Sequence, residues 1–122
     1  MGTKTPRQTK GQAAEDRVLA FLQAQGLRLM ERNFHCRYGE IDLVMEDGRV
    51  VVFVEVRFRS GIRFGSAAES VDARKQAKLL ITAACYLKFR RLDRPARFDV
   101  ASVSPAPDGF AVEWIKDAFR AG

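Results

Sequence analysis

The segment GEIDLVMEDGRVVVFVEVRFR, which spans residues 39–59, contains four charged residues that could form one site: Glu40, Asp42, Glu55 and Arg57. The segment has two β-type runs on either side of Asp47-Gly48, a dipeptide that favours a tight hairpin turn. With these two residues as the loop, the register of the two strands is fixed. The predicted partners are Val44 with Val51, Asp42 with Phe53, and Glu40 with Glu55.

Alternate side chains of a strand point to opposite faces of the sheet, so the predicted hairpin has two different faces. One face is wholly apolar and requires a core to cover it: Ile41, Leu43, Met45, Val50, Val52, Val54 and Val56. The other face carries Glu40, Asp42, Val44, Val51, Phe53, Glu55 and Arg57. It gathers three carboxylates and one guanidinium toward one end, although a register slip of one residue would exchange the faces.

Carboxylates this close together repel each other, so the acidic face needs a compensating cation. Arg57 supplies one positive charge, and a divalent metal would supply more. Mg²⁺ takes carboxylate oxygens, usually one or two from the protein, and keeps several waters. Asp42 and Glu55 would lie diagonally on one face, within reach of one ion. The alternative, which the spacing alone favours, is a solvated face with Glu–Arg pairs, each contributing roughly 0.2–1 kcal/mol.

These motifs together resemble the YraN/UPF0102 family of small bacterial proteins. The resemblance covers residues 11–103 and rests on GEIDLV, VFVEVRFR, an upstream GQAAE helix start, RFG at 63–65 and RFDV at 97–100. That family is similar in turn to the PD-(D/E)XK nucleases, in particular the archaeal Holliday junction resolvases. The resemblance implies an α/β, restriction-endonuclease-like fold with an αβββαβ core, a mixed sheet flanked by helices, and metal-dependent cleavage of nucleic acid.

The resemblance also implies a catalytic set of four residues. Asp42 matches the metal-binding Asp and Glu55 the acidic residue of the (D/E)XK element, so both would hold Mg²⁺ or Mn²⁺. Glu15 matches a helix-borne Glu of the resolvase-like branch, whereas the residues alone would explain it by the helix dipole. Arg57 occupies the place of that element's Lys. An arginine stays protonated, so this departure weighs against catalysis more than against binding.

The excess of basic residues favours a polyanionic partner. Lys and Arg total 21 against 15 acids, which gives a net charge of +6 and points above all to nucleic acid. DNA ranks ahead of RNA as that partner. The predicted contacts lie in the loop at 59–70, on the second helix and at its end: Arg59, Arg63, Lys75, Gln76, Lys78, Arg90 and Arg91. Taken alone, these residues would be an ordinary connection and a solvated helical face.

The first half of the chain predicts one helix and three strands. The helix runs from about residue 11 to 25 and stops at Gly26, with the apolar stripe Ala14, Val18, Phe21 and Leu22. A strand follows at 27–34, with Leu27 and Leu29 on one side, and leads into the hairpin. These elements would place Glu15 near the acidic face.

The second half predicts a helix and two further strands. The helix begins after an N-cap at Asp72 and ends at 89 or 90, with the core stripe Ala73, Ala77, Leu80, Ile81, Ala84 and Leu87. Strands are predicted at 98–104 and 110–114, and a short turn or helix at 115–119. The element order is α-β-β-β-α-β-β, and its first six elements fit the αβββαβ core.

The composition predicts a flexible basic arm at 1–10 and a single nuclease-like domain at 11–122. Hydrophobic residues make up 47% and charged residues 30%, which fits a soluble globular protein. No apolar run is long enough to span a bilayer, and the basic N-terminus lacks the apolar region of a secretory signal. A cytoplasmic location without a membrane partner is expected. Cys36 and Cys85 are predicted to be reduced thiols.

Three functions remain open at this point. The first is a metal-dependent endonuclease-like protein that acts on the DNA backbone, including branched or processed DNA. The second is a non-catalytic nucleic-acid-binding module with a degenerate nuclease site, which Arg57 supports. The third is a protein–protein adaptor with no affinity for DNA or RNA. A homodimer would help on a branched substrate, because paired sites could cut both strands, although nothing in the sequence demonstrates dimerisation.

Overall fold

A computed structural model describes residues 10–59 and 71–120. It contains seven elements in the predicted order: α1 (Lys10–Ala24), β1 (Arg28–Cys36), β2 (Gly39–Asp47), β3 (Val50–Phe58), α2 (Ala73–Phe89), β4 (Ala96–Ala106) and β5 (Gly109–Phe119). Residues 1–9 of the predicted basic arm and Arg63 lie outside the described residues, whereas residue 10, predicted as part of the arm, begins α1. Of the helices described, none is both long and apolar enough to cross a membrane.

The five strands form one mixed sheet in the order β1-β2-β3-β4-β5. The first three strands are antiparallel neighbours, β4 lies parallel to β3, and β5 returns antiparallel to β4. Helix α2 connects β3 to β4, because parallel neighbours require a crossover connection. The predicted mixed sheet flanked by helices, with its αβββαβ order, is confirmed.

Each helix covers one face of the sheet. The α1 side is closed by Ala14, Val18 and Leu22, as the predicted stripe requires, packed on strand residues such as Leu43 and Val52. The predicted fourth member of that stripe, Phe21, is only partly buried at the edge of this core. The α2 side is closed by Leu79, Ala83 and Tyr86, packed on strand residues such as Val44 and Phe53. The acidic segment therefore lies in the layer between the two helices.

The predicted core stripe of α2 is wrong. The buried residues of this helix are Leu79, Thr82, Ala83 and Tyr86. Of the predicted stripe, Ala73, Ala77, Ile81 and Ala84 are exposed, and Leu80 and Leu87 are half-buried. The helix has two apolar rows, and the row that the sheet covers includes a threonine. Thr82 can be buried because its hydroxyl donates to the Lys78 carbonyl at 2.8 Å.

The predicted register of the β2–β3 hairpin is wrong by two residues. Val44 pairs with Phe53 rather than with Val51, and the last pair before the turn is Asp47 with Val50. The loop is therefore Gly48-Arg49, with Gly48 at a φ of 59°. A glycine with positive φ at the first loop position is typical of a type II′ turn, which matches the twist of a hairpin. A shift of two residues leaves each side chain on its face.

Strands β1 and β2 change faces at Asn33 and Asp42. Arg32 pairs with Leu43 and Phe34 pairs with Ile41, yet Leu43 belongs to the α1-side core and Ile41 to the α2-side core. The predicted placement of Ile41 beside Leu43 is therefore wrong. Asn33 has a φ of 53°, a left-handed conformation that asparagine tolerates better than most residues. The described ladder between β2 and β3 ends at Leu43, so Asp42 lies just outside it.

The two C-terminal strands are longer than predicted, and the turn or helix expected at 115–119 is wrong. Strand β5 continues to Phe119 through an irregularity at Asp117, whose φ is 52°. The buried Asp99 carboxylate fixes this irregularity, because it accepts hydrogen bonds from Asp117 N and Trp114 Nε1, both at 2.9 Å. Arg97 completes the network through an ion pair with Asp99 at 3.0 Å.

Strand β1 also differs from its predicted bounds, since it runs from Arg28 to Cys36. Leu27 is buried, whereas Leu29 is 38% exposed, so the two leucines do not share a side. Leu27 precedes the strand and closes the end of α1, where its N–H donates to the Leu22 carbonyl at 3.0 Å.

Candidate active site

The carboxyl groups of Asp42 and Glu55 are in hydrogen-bond contact. The observed register brings this about, since Leu43 pairs with Val54 and the next residues outward are Asp42 and Glu55. The predicted register had set the two acids diagonally. Asp42 Oδ2 accepts a hydrogen bond from Val56 N at 2.8 Å. The Asp42 side chain thereby satisfies a backbone donor of β3 at the point where the ladder ends.

Burial makes this pair electrostatically unusual. Burial and the negative charge of Asp42 raise the pKa of Glu55 from 4.5 to about 7, although Lys75 and Arg57 act in the opposite direction. Burial also raises the pKa of Asp42, against the hydrogen bond from Val56. Two buried carboxyl groups in contact cannot both ionise freely. Without a bound metal ion, the pair therefore retains a proton in part of the molecules near neutral pH.

Two cationic side chains lie against Glu55, whose own side chain is 8% exposed. Arg57 Nη2 is 3.4 Å from Glu55 Oε2, and Lys75 Nζ is 3.7 Å from the same oxygen. Lys75 is in the first turn of α2, where its N–H donates to the predicted N-cap, Asp72, at 2.8 Å. Arg57 Nε is buried and has no hydrogen-bond partner in the described part of the chain. A buried donor of this kind could bind an added oxygen acceptor.

Glu15 lies near the pair but is held by other residues. Burial and the charge of Asp42 raise the pKa of Glu15, so the two carboxyl groups interact electrostatically. Arg32 Nη2 donates to Glu15 Oε1 at 3.3 Å, and the amide nitrogen of Asn33, in its satisfied orientation, lies 3.2 Å from the same oxygen. Residues 10–59 and 71–120 contain no group of three or more His, Cys, Asp or Glu arranged for a metal. Glu15 is thus held in place by Arg32 and Asn33.

The donor set of the pair fits Mg²⁺ or Mn²⁺. Carboxylate oxygens are the ligands that these hard cations prefer, and Mg²⁺ is commonly held by one or two carboxylates with water or phosphate completing the shell. Asp42 and Glu55 would supply those two carboxylates. The raised pKa of Glu55 indicates a place where negative charge lacks sufficient compensation, which a divalent cation would provide.

The predicted nucleic-acid contacts divide into two groups. Lys75 and Lys78 lie on the first turns of α2. Lys75 contacts Glu55 of the acid pair, and Lys78 is exposed. Gln76 is also in this region, but its amide donates to the Val71 carbonyl at 2.9 Å. Arg59, just after β3, forms an ion pair with Glu113 at 3.9 Å.

Arg90 and Arg91 lie at the other end of α2. Arg90 follows Lys75 by fifteen residues, which corresponds to about 22 Å along a helix axis. Arg90 donates to Glu31 Oε1 at 2.7 Å and lies over the Phe89 ring. Arg91 is exposed, with a φ of 55°. The structure therefore does not bring these two arginines to the acid pair.

Sequence reasoning missed three groups that shape this site. The Val56 N–H holds Asp42, Asn33 contacts Glu15, and Lys75 lies against Glu55 rather than simply facing solvent. A backbone donor has no sequence signal. The asparagine within a strand is a weak indication of irregular backbone. The pairing of Lys75 with Glu55 depends on how α2 packs.

The fold and this site define an α/β protein with a buried two-carboxylate site at the point where two strands separate. The chain belongs to the uncharacterised protein family UPF0102, whose model matches residues 14–103. The family suggested by the sequence motifs is thereby confirmed.

Relatives in this family match nearly the whole chain. The UPF0102 protein of Janthinobacterium sp. (strain Marseille) is 48% identical over 97% of this chain and 93% of its own length. That of Methylococcus capsulatus is 50% identical over 94% of each chain. Among solved structures, Pyrococcus furiosus SfsA in complex with Ca²⁺ covers 87% of this chain and 60% of its own, with 11% identity and a TM-score of 0.30. That similarity is too low to support an inference.

Proposed function

We propose that this protein is a metal-dependent phosphodiesterase that cuts the backbone of nucleic acid, with DNA as the preferred substrate. The observation that carries the proposal is the buried contact between Asp42 and Glu55, flanked by Arg57 and Lys75. Buried acids with raised pKa values next to cationic groups are common at functional sites. The net charge of +6 adds a general attraction for a polyanion.

The residues of the site have distinct roles in this proposal. Asp42 and Glu55 would hold Mg²⁺ or Mn²⁺, which supplies an activated water and neutralises charge on the scissile phosphate. Glu55 would hold the ion as an ionised carboxylate. Arg57 is placed to stabilise charge that develops on the phosphate, and its buried Nε is an unused donor for this purpose.

Lys75 supplies the ammonium group that Arg57 does not provide. The resembled (D/E)XK element carries its lysine on the strand, where this chain has Arg57. Helix α2 brings a different ammonium group, that of Lys75, within 3.7 Å of the same glutamate. Unlike a guanidinium, a lysine ammonium can change its pKa and take part in proton transfer. We assign to Lys75 the orientation of the attacking water.

The test is a cleavage assay on labelled single-stranded, duplex and four-way-junction DNA, with EDTA, Mg²⁺ or Mn²⁺. Metal-dependent cleavage is expected for the wild type and should be lost in Asp42→Asn and Glu55→Gln. The matched control is Glu46→Gln, an acid on the same strand as Asp42 that pairs with Arg94 at 2.8 Å, away from the site. Equal cleavage by wild type and Asp42→Asn would refute the proposal and indicate a contaminating nuclease.

The second candidate is a nucleic-acid-binding module without catalysis. Arg57 favours it, because a protonated guanidinium can bind phosphate but cannot exchange a proton. This candidate predicts shifted bands in EDTA and no cleavage with either metal. The absence of a shift at low salt would eliminate both candidates and leave the protein–protein adaptor.

A further inference from the structure

Two thiol groups from different elements meet on the α2 side of the sheet. Cys36, the last residue of β1, and Cys85, on α2, are close enough for each thiol to change the pKa of the other. Both cysteines are free and half-buried, and both pack against the α2-side core. The two thiols therefore lie in one half-buried region beside that core.

The local fold holds these thiols together. Cys36 pairs with Gly39 across a two-residue hairpin loop, and α2 lies close to Gly39. A Cβ atom at Gly39 would lie 3.0 Å from Thr82 Oγ1, so the glycine allows a close approach of the helix. Thr82 is one helical turn before Cys85. The proximity of the two thiols thus follows from the packing of α2 on the β1–β2 turn.

The surroundings of the two sulfur atoms differ. Tyr38 N donates to Cys36 Sγ at 3.5 Å. This bond is the largest cause of the lowered pKa of Cys36. Burial acts in the opposite direction, but interactions with Cys85 and Gly39 N help to keep the pKa lowered. The pKa of Cys85 is raised, mainly by the contact with Cys36. The thiolate is the reactive form of cysteine, so Cys36 is the better nucleophile of the pair.

We propose that Cys36 and Cys85 form a redox-active dithiol that reduces a hydroperoxide and closes to an intramolecular disulfide. The Cys36 thiolate attacks a peroxide oxygen, the O–O bond breaks, and hydroxide leaves to take up a proton, which leaves a sulfenic acid on Cys36. The Cys85 sulfur then attacks the Cys36 sulfur, the S–O bond breaks, and a second water leaves. The two thiols lose two electrons, and hydrogen peroxide is reduced to two waters. This activity is independent of the proposed phosphodiesterase.

The test starts from the reduced full-length protein treated with hydrogen peroxide at dilute protein concentration. We expect the intact mass to fall by two hydrogen atoms and both thiols to disappear, with a Cys36–Cys85 cross-linked peptide after digestion. Dithiothreitol should reverse these changes. A disulfide that forms only between chains would overturn the proposal.

Single serine variants separate the two roles. Cys85→Ser should stop at a sulfenic acid on Cys36, which dimedone traps. Cys36→Ser should react at least about tenfold more slowly, because it lacks the stabilised thiolate. Circular dichroism checks that both variants fold. The rate of thiol loss at each cysteine of the wild type tests the same assignment without a substitution. Equal dimedone labelling of the two variants would contradict the assignment.

Discussion

Replacing Glu55 with glutamine should change how the stability of the metal-free protein depends on pH. In the folded protein, burial and the charge of Asp42 raise the pKa of Glu55 from 4.5 to about 7. In the unfolded chain the side chain is hydrated, and its pKa returns to the ordinary value. The folded state consequently binds this proton more tightly than the unfolded state does.

The sign and size of the effect follow from proton linkage. A raised pKa in the folded state contributes stability that is fully present below the unfolded pKa and is lost as the pH rises through the folded pKa. For Glu55 this window extends from 4.5 to about 7. The corresponding loss of unfolding free energy is about 3 kcal/mol, a large part of the stability of a small domain.

The measurement is urea denaturation in EDTA, followed by circular dichroism at about pH 5 and about pH 8. The wild type should lose roughly 2–3 kcal/mol more than Glu55→Gln between these pH values, since part of the full effect is already lost at about pH 5. Asp42→Asn removes the neighbouring charge, so the loss should move to lower pH. The control Glu46→Gln should follow the wild type. Mg²⁺ at the higher pH should stabilise the wild type more than Glu55→Gln, because it binds the ionised carboxylates of the folded state.

A Glu55 side chain that does not titrate between these two pH values would contradict the raised pKa. If wild type and Glu55→Gln lose the same free energy of unfolding between the two pH values, Glu55 does not titrate in this range. The acid pair would then be fully compensated by Arg57 and Lys75 without any metal, and the site would be an ordinary ion-pair cluster.

Three further predictions concern other parts of the fold. Asp99→Ala removes the acceptor of a buried network and should cost about 3–5 kcal/mol of unfolding free energy, whereas the exposed Asp93→Ala should change it by less than about 0.5 kcal/mol. Gly39→Ala places a methyl group 3.0 Å from Thr82 Oγ1 and should lower stability by roughly 1–3 kcal/mol, partly restored by Thr82→Ala in the double variant. Lys75→Ala should lower DNA cleavage at least about tenfold with little change in DNA affinity, and Lys75→Arg should not restore cleavage. Unchanged cleavage in Lys75→Ala would show that this residue has no part in the mechanism.

The sequence predicted those features that local patterns determine. The stripe on α1 and the cap at Asp72 were correct, because helical periodicity and capping depend on neighbouring residues. The hairpin itself was also correct. Its register was not, because Asp47-Gly48 and Gly48-Arg49 are both acceptable loops and only the pairing of the strands decides between them.

The candidate site depended on features that no local pattern contains. The two acids were identified from their motifs, but their direct contact required the corrected register. The change of face at Asn33 and Asp42 is a property of two paired strands. The position of Lys75 depends on which apolar row of α2 meets the sheet, and the sequence favoured the wrong row. Each of these is a tertiary choice between locally similar alternatives.

The electrostatic cost of the acid pair is itself an argument for a ligand. The pKa of Glu55 is about 7, because its buried position disfavours the ionised form. Glutamine would fill the same volume without that charge. Glu55→Gln is therefore expected to be more stable than the metal-free wild type at about pH 8. Functional sites commonly contain residues that lower the stability of the protein, so the binding of a ligand would explain a glutamate at this position. If Mg²⁺ or Mn²⁺ abolishes the stability difference between wild type and Glu55→Gln, the pair binds a cation whether or not cleavage is detected.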